Sequence, residues 1–185
     1  MIGDARYDSA TSHTVTLDGM VTVGPMRVEG NGKVVFANEY NNFSGLTVTN
    51  TATASVKAGC KPGAGAVTMA AGTTLEVAES GTATIDGTLT LAEGASLAFN
   101  FTDKRTAPVL AVDSPATLPA TVNVTVSAAD GITPHGGRYA LTSGGAFAGT
   151  TVSLVDQPKW VKGISVVDGD IVLDVKTGGI VVIIK

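Results

Sequence analysis

Five apolar–polar–apolar triplets at nearly even intervals restrict what this chain can fold into. They are Val67-Thr68-Met69, Leu75-Glu76-Val77, Ala83-Thr84-Ile85, Leu89-Thr90-Leu91 and Leu97-Ala98-Phe99. Apolar outer positions around a polar or small middle give the period-two pattern of a strand with one buried face. Turn-formers separate them: Ala71-Gly72, Ser80-Gly81, Asp86-Gly87 and Glu93-Gly94. Strands this short cannot each support a core. Their regularity predicts a repeat architecture in which neighbouring strands share one.

The same texture begins earlier. Short strands are predicted at Thr14–Leu17, Val21–Val23, Met26–Val28, Val34–Phe36, Leu46–Val48 and Ala54–Val56, with Asp18-Gly19, Glu29-Gly30 and Asn31-Gly32 as turns. Charged residues are 15% of the chain and charged helix formers are scarce, so no long stretch has helical periodicity. The fold class is therefore all-β. An antiparallel sandwich would space longer strands about 8–12 residues apart. The closer spacing here predicts a parallel β-helix, in which two or three short strands make one coil and stacked coils share a core.

Near residue 100 the strands lengthen, as in Ala107–Val112 and Thr121–Val126. Pro115 and Pro119 bracket a predicted loop. Further strands are expected at Tyr139–Leu141, Thr151–Val155, Ile164–Val167, Asp170–Val175 and Ile180–Ile184, with Asp168-Gly169 turning a hairpin. The expected organisation is β-helix repeats over 1–105, then terminal coils and a β-strand cap over 106–185. A cap is needed because the last coil of a solenoid exposes core and unpaired strand edges.

Net charge is −4, the 12 Lys and Arg are scattered, and aromatics are 5% of residues, which argues against nucleic-acid binding. The longest apolar run, Ile180–Ile184, is strand length, so no transmembrane segment is expected. A single cysteine, Cys60, excludes an internal disulfide framework and a multi-cysteine zinc site. It reads either as a small turn residue or as a reactive thiol near Lys57 and Lys61. No cofactor and no metal site is predicted. The amino terminus lacks the apolar region of a signal peptide, and the chain begins within the repeat pattern. Either the protein is cytoplasmic or the chain is part of a longer secreted one, and the repeats favour the second.

The run Gly32-Lys33-Val34-Val35-Phe36-Ala37-Asn38-Glu39-Tyr40-Asn41-Asn42-Phe43-Ser44-Gly45-Leu46-Thr47-Val48 resembles the autotransporter-associated β-strand repeat. The stretch Tyr139–Thr150, then Trp160, then Asp168–Val175 is similar to the carboxy-terminal part of such proteins. The resemblance implies a right-handed β-helix belonging to a secreted or cell-surface bacterial protein. It implies no catalytic residues. The chain departs from the family in having no amphipathic barrel domain ending in an aromatic residue.

Candidate site residues follow from the predicted geometry. The middle residues Thr68, Glu76, Thr84, Thr90 and Ala98 would stack into one Thr-rich outer face, either solvated or contacting a polymer. The turn carboxylates Glu79, Asp86 and Glu93 would line one rim. Two carboxylates about 5–10 Å apart are what glycoside hydrolysis requires, and Glu76 joins them as a candidate. His135, in the polar loop Thr133–Arg138, is a candidate general base. His13 is the only other histidine, and no G-x-S-x-G elbow accompanies either. Trp160 either covers the last coil or stacks against a sugar.

The function expected is structural or adhesive, an adhesin-like β-solenoid segment. The alternative is a carbohydrate-active protein, a polysaccharide-binding module or a hydrolase or lyase, using a groove on the β-helix. The expected partners are a polysaccharide or cell-surface glycan, and a second copy through end-to-end or edge association as a homodimer.

Overall fold

The computed structural model describes residues 5–9 and 13–177, and every regular element among them is a strand. In chain order the first strands are β1 (Ala5–Ser9), β2 (Thr14–Leu17), β3 (Thr22–Gly30), β4 (Lys33–Phe36), β5 (Asn42–Val48) and β6 (Thr53–Val56). Next come β7 (Ala66–Met69), β8 (Thr74–Val77), β9 (Gly81–Ile85), β10 (Leu89–Leu91), β11 (Ser96–Phe101), β12 (Pro108–Val112) and β13 (Ala116–Thr117). The last are β14 (Thr121–Ala128), β15 (Gly137–Ala140), β16 (Thr142–Ser143), β17 (Thr151–Val155), β18 (Val161–Val167) and β19 (Asp170–Val175). The strand expected at Ile180–Ile184 lies outside the described residues.

Consecutive strands do not pair with each other along most of the chain. They distribute over three parallel sheets. Sheet A has the order β1-β3-β5-β7-β10-β13, sheet B the order β17-β14-β11-β8-β6-β4-β2, and sheet C the order β16-β12-β9. The chain thus leaves a sheet, visits the others, and returns one place further along. In sheet B an early return carries Thr14 onto Lys33, and the later one from Thr121 to Thr151 is longer. The parallel ladders run on past residue 105, through β12, β14, β16 and β17.

The inward residues stack in register. In sheet B, Val34, Ala54, Leu75, Leu97 and Val124 form one row, and Phe36, Val56, Val77, Phe99 and Val126 the next. All of them are buried and belong to one core cluster. In sheet A, Leu46, Val67 and Leu89 form the matching row. Each rung alone hides too little apolar surface to hold itself together, so the stacking supplies the burial.

On the earlier returns the third side is not a strand. Segments 37–41 and 57–65 take that place, held by side chains and isolated main-chain bonds. Asn41, 1% exposed, donates to the carbonyls of Asn38 (3.1 Å) and Lys61 (3.2 Å) and accepts the Val21 N–H (3.2 Å). Asn38 donates to the Asp18 carbonyl one return earlier, at 2.9 Å. These amides satisfy main-chain groups that a sheet ladder would otherwise pair.

A fourth sheet, antiparallel, has the order β15-β19-β18. Val161, Ile171, Leu173 and Val175 from it join the same core cluster. Its hairpin turns at Asp168 (φ 52°) and Gly169 (φ 82°), as the Asp-Gly pair predicts.

Three local expectations change. The strands predicted at Val21–Val23 and Met26–Val28 are one strand, β3 (Thr22–Gly30), whose pairing with β5 runs on through Pro25, opposite Gly45. The stretch between Pro115 and Pro119 contains β13, which pairs with Leu89 and Thr90 of β10. The five triplet middles do not share one face. Thr68 and Thr90 lie on sheet A, Glu76 and Ala98 on sheet B, and Thr84 on sheet C. Triplets adjacent in sequence occupy successive sides, and the residue stacked on each one comes a full return later. The threonine row that does exist is on sheet A, where Thr47, Thr68, Thr90 and Thr117 follow Arg27 in register.

Candidate functional site

The candidate carboxylates separate. Glu79 lies between β8 and β9, Asp86 between β9 and β10, and Glu93 between β10 and β11. These connections lead from sheet B to C, from C to A and from A to B, so the three residues sit at different corners and do not line one rim. Asp86 forms an ion pair with Lys61 at 2.6 Å. Glu76 points outward from β8 and forms an ion pair with Lys33 of β4. The strand between them is β6, so the pair reaches across Ser55, which is fully buried although it faces away from the core. Val35, the next residue in that outer row, is also buried. This part of the outer face is closed by long charged side chains lying over small ones.

The two remaining candidates come together. His135 and Trp160 line one cleft of about 520 Å³ with Thr133, Lys159 and Lys176. Three segments build it. The loop before β15 carries Thr133–Gly136, the loop before β18 carries Lys159-Trp160, and the chain leaving β19 carries Lys176-Thr177. His13 lies elsewhere, at the head of β2, where its carbonyl accepts the Lys33 N–H at 2.8 Å.

The cleft is braced from behind. Phe101, fully buried at the end of β11, meets Tyr139 edge-on (centroids 5.5 Å apart, 83°) and Trp160 likewise (5.7 Å, 76°). Such edge-to-face pairs contribute about 0.5–1.5 kcal/mol beyond area burial. The Tyr139 hydroxyl reaches the His135 carbonyl at 2.9 Å and the Lys104 carbonyl at 3.2 Å, and the His135 N–H donates to the Lys104 carbonyl at 2.8 Å. Burial, and then the Asp103 charge, push the Tyr139 phenol up, so it remains a donor. The Lys176 N–H donates to the Trp160 carbonyl (2.9 Å) and its ammonium to the Lys159 carbonyl (2.6 Å). Gly136 packs so closely on Thr177 that a Cβ would stand 2.4 Å from the Thr177 Cα. The loop and the chain leaving β19 can approach this closely only because position 136 has no side chain.

Known protein families, curated proteins and solved structures were compared with the chain, and none matches.

Two shallower clefts, of about 340 and 310 Å³, flank Tyr40 on the third side. Tyr40 is 65% exposed, and Met20 beside it is 66% exposed. A hydrogen bond with Glu39, and then its charge, push the Tyr40 phenol up. Cys60 lines the smaller cleft. Burial first, then the charges of Glu79 and Glu39, raise its thiol against the opposing pull of Lys57. That is the reverse of what a reactive thiol requires. Among the described residues no group of three His, Cys, Asp or Glu is placed to hold a metal ion, and no helix is long and apolar enough to cross a membrane.

Sequence reasoning found His135 and Trp160 but not Lys159 or Lys176, which share their cleft. Nothing local marks those lysines, because residues 133–136, 159–160 and 176–177 are far apart in the chain.

Proposed function

We propose that this chain is a structural or adhesive segment of a right-handed parallel β-helix, from a secreted or cell-surface bacterial protein. The parallel ladder carries this reading. Each of the three parallel sheets recruits its strands in rising sequence order from successive passes of the chain, and one core runs through them. Right-handedness follows from the rule that parallel crossovers within a sheet are right-handed in about 98% of cases. The antiparallel sheet at the carboxy-terminal end acts as a cap, since its inner face joins that core. Location rests on the resemblance of the Gly32–Val48 run to the autotransporter-associated repeat.

In such a protein the polar surface residues serve shape and solubility, and contacts are spread over stacked rungs. The placement of Glu76 and Asp86, each held by a lysine, supports this role, as does the distribution of Glu79 and Glu93 over different corners. Parallel ladders also end in strand edges that offer pairing to a second copy.

The test is a panel of polysaccharides incubated with the protein and with Glu76→Gln, Glu79→Gln, Asp86→Asn and Glu93→Gln. Sedimentation of the same samples is followed across a concentration series. The expected result is a mass that rises with concentration and no turnover. Turnover that one of the four substitutions abolishes, with folding intact, would overturn the structural reading in favour of a glycan hydrolase or lyase.

A further inference from the structure

We infer that the cleft between His135, Trp160 and Lys176 binds an acidic saccharide, a pyranose ring carrying a carboxylate. This is a binding activity beyond the structural role, and it stands on a different part of the molecule from the parallel ladders.

Charge is the first argument. The protein carries a net −4, yet among the described residues no Asp or Glu lines this cleft, whereas Lys159 and Lys176 do. Two carboxylates on adjoining segments, Asp103 and Asp174, have partners of their own. Asp103 accepts the N–H groups of Arg105 and Thr106, each at 2.8 Å, which holds its carboxyl below the usual range. Asp174 faces Arg138 at 3.4 Å. Among the described residues the lining thus carries two lysines and no carboxylate, and it suits an anion.

Preorganisation is the second. The Lys176 ammonium is anchored on the Lys159 carbonyl and its main chain on Trp160, so one cation is already positioned. An ammonium has three N–H groups, so others remain to donate to a carboxylate. Charge-assisted bonds of this kind are the strong ones.

The third is the surface beside that charge. Trp160 is half-buried and its indole is braced by Phe101, so the ring is held in place. The C–H groups of a pyranose pack against an indole face, whose quadrupole is negative. Thr133 supplies a hydroxyl that both donates and accepts, matching ring hydroxyls. A volume of about 520 Å³ falls within the roughly 300–1,000 Å³ of small-ligand sites. Nucleic acid is disfavoured because, among the described residues, Trp160 is the one large aromatic that lines the cleft, and the Lys and Arg of the chain are scattered.

Trp160 is the only tryptophan, so its fluorescence reports this site alone. The full chain is titrated with trigalacturonate, with neutral galactotriose and with a short oligoadenylate, by fluorescence and by calorimetry. The expected result is a shift in Trp160 emission with trigalacturonate, and affinity at least about tenfold above galactotriose. That affinity should fall as salt rises from about 50 to 500 mM. The double substitution Lys159→Gln/Lys176→Gln should lose about tenfold in affinity at unchanged melting temperature. Trp160→Phe, which keeps a ring against Phe101, should weaken binding in calorimetry. Equal binding of the neutral sugar, tighter binding of the oligonucleotide, indifference to the lysine substitutions, or no binding of any probe up to about 10 mM would each overturn the inference.

Discussion

Replacing Gly65 with alanine should destabilise the protein far more than replacing Gly19, although neither glycine belongs to the core cluster. A Cβ built on Gly65 stands 1.8 Å from the Ser44 carbonyl oxygen, 2.1 Å from its carbon and 2.6 Å from the Gly45 nitrogen. All three are main-chain atoms of the preceding rung, so no side chain can swing away. Relief requires the rungs to move apart. That strains the bond from the Gly65 N–H to the Phe43 carbonyl (3.0 Å), which spans the same two rungs. Overpacking costs about 1–3 kcal/mol, and the weakened hydrogen bond adds about 0.5–1.5 kcal/mol. A loss of about 3 kcal/mol, the middle of the summed range, follows. At about 2–4 °C per kcal/mol for a chain of this size, the melting temperature should fall by roughly 6–12 °C. Gly87 repeats the situation one return later, with a Cβ 2.3 Å from the Gly65 carbonyl oxygen. Gly19 has nothing within 4 Å and no left-handed φ, so Gly19→Ala should stay within about 0.5 kcal/mol of the parent. The assay is urea and thermal unfolding followed by far-ultraviolet circular dichroism. A Gly65→Ala protein as stable as Gly19→Ala would refute the close approach of the rungs at this corner.

Two further outcomes are expected. Leu89 is fully buried in the sheet A row beside Val67, so Leu89→Ala should cost about 2–5 kcal/mol in urea unfolding; a loss below about 1 kcal/mol would mean that the inward row is wrongly placed. Cys60, with its thiol pushed up by burial and by Glu79, holds less thiolate than free cysteine at a given pH, so it should react more slowly with a disulfide reagent near pH 8, and Glu79→Gln should speed it; a Cys60 faster than free cysteine would contradict that environment.

Much of the local structure was legible residue by residue. In each triplet the outer residues are buried and the middle is not, as at Leu97-Ala98-Phe99. That pattern is a property of the pleat, which turns successive side chains to opposite faces wherever the strand ends up. Asp168-Gly169 likewise specified its hairpin, because the turn needs two positive φ values that few residue pairs tolerate. The all-β class follows from those local preferences summed along the chain.

Partnership between strands was decided only by the tertiary structure. Val67 pairs with Leu89, a full return later, and not with Leu75 of the very next triplet, because the chain must leave a sheet and return before a parallel partner exists. The expected face of Thr68, Glu76, Thr84, Thr90 and Ala98, and the expected rim of Glu79, Asp86 and Glu93, failed for that one reason. Lys33 meets Glu76 across β6 because stacked rungs lie about 4.7–4.9 Å apart. Lys159 and Lys176 join His135 and Trp160 because the antiparallel sheet brings three distant segments to one end of the core. Local propensity reaches only a short way along the chain. The cleft is made by contacts between segments well beyond that reach, and those depend on how the whole stack closes.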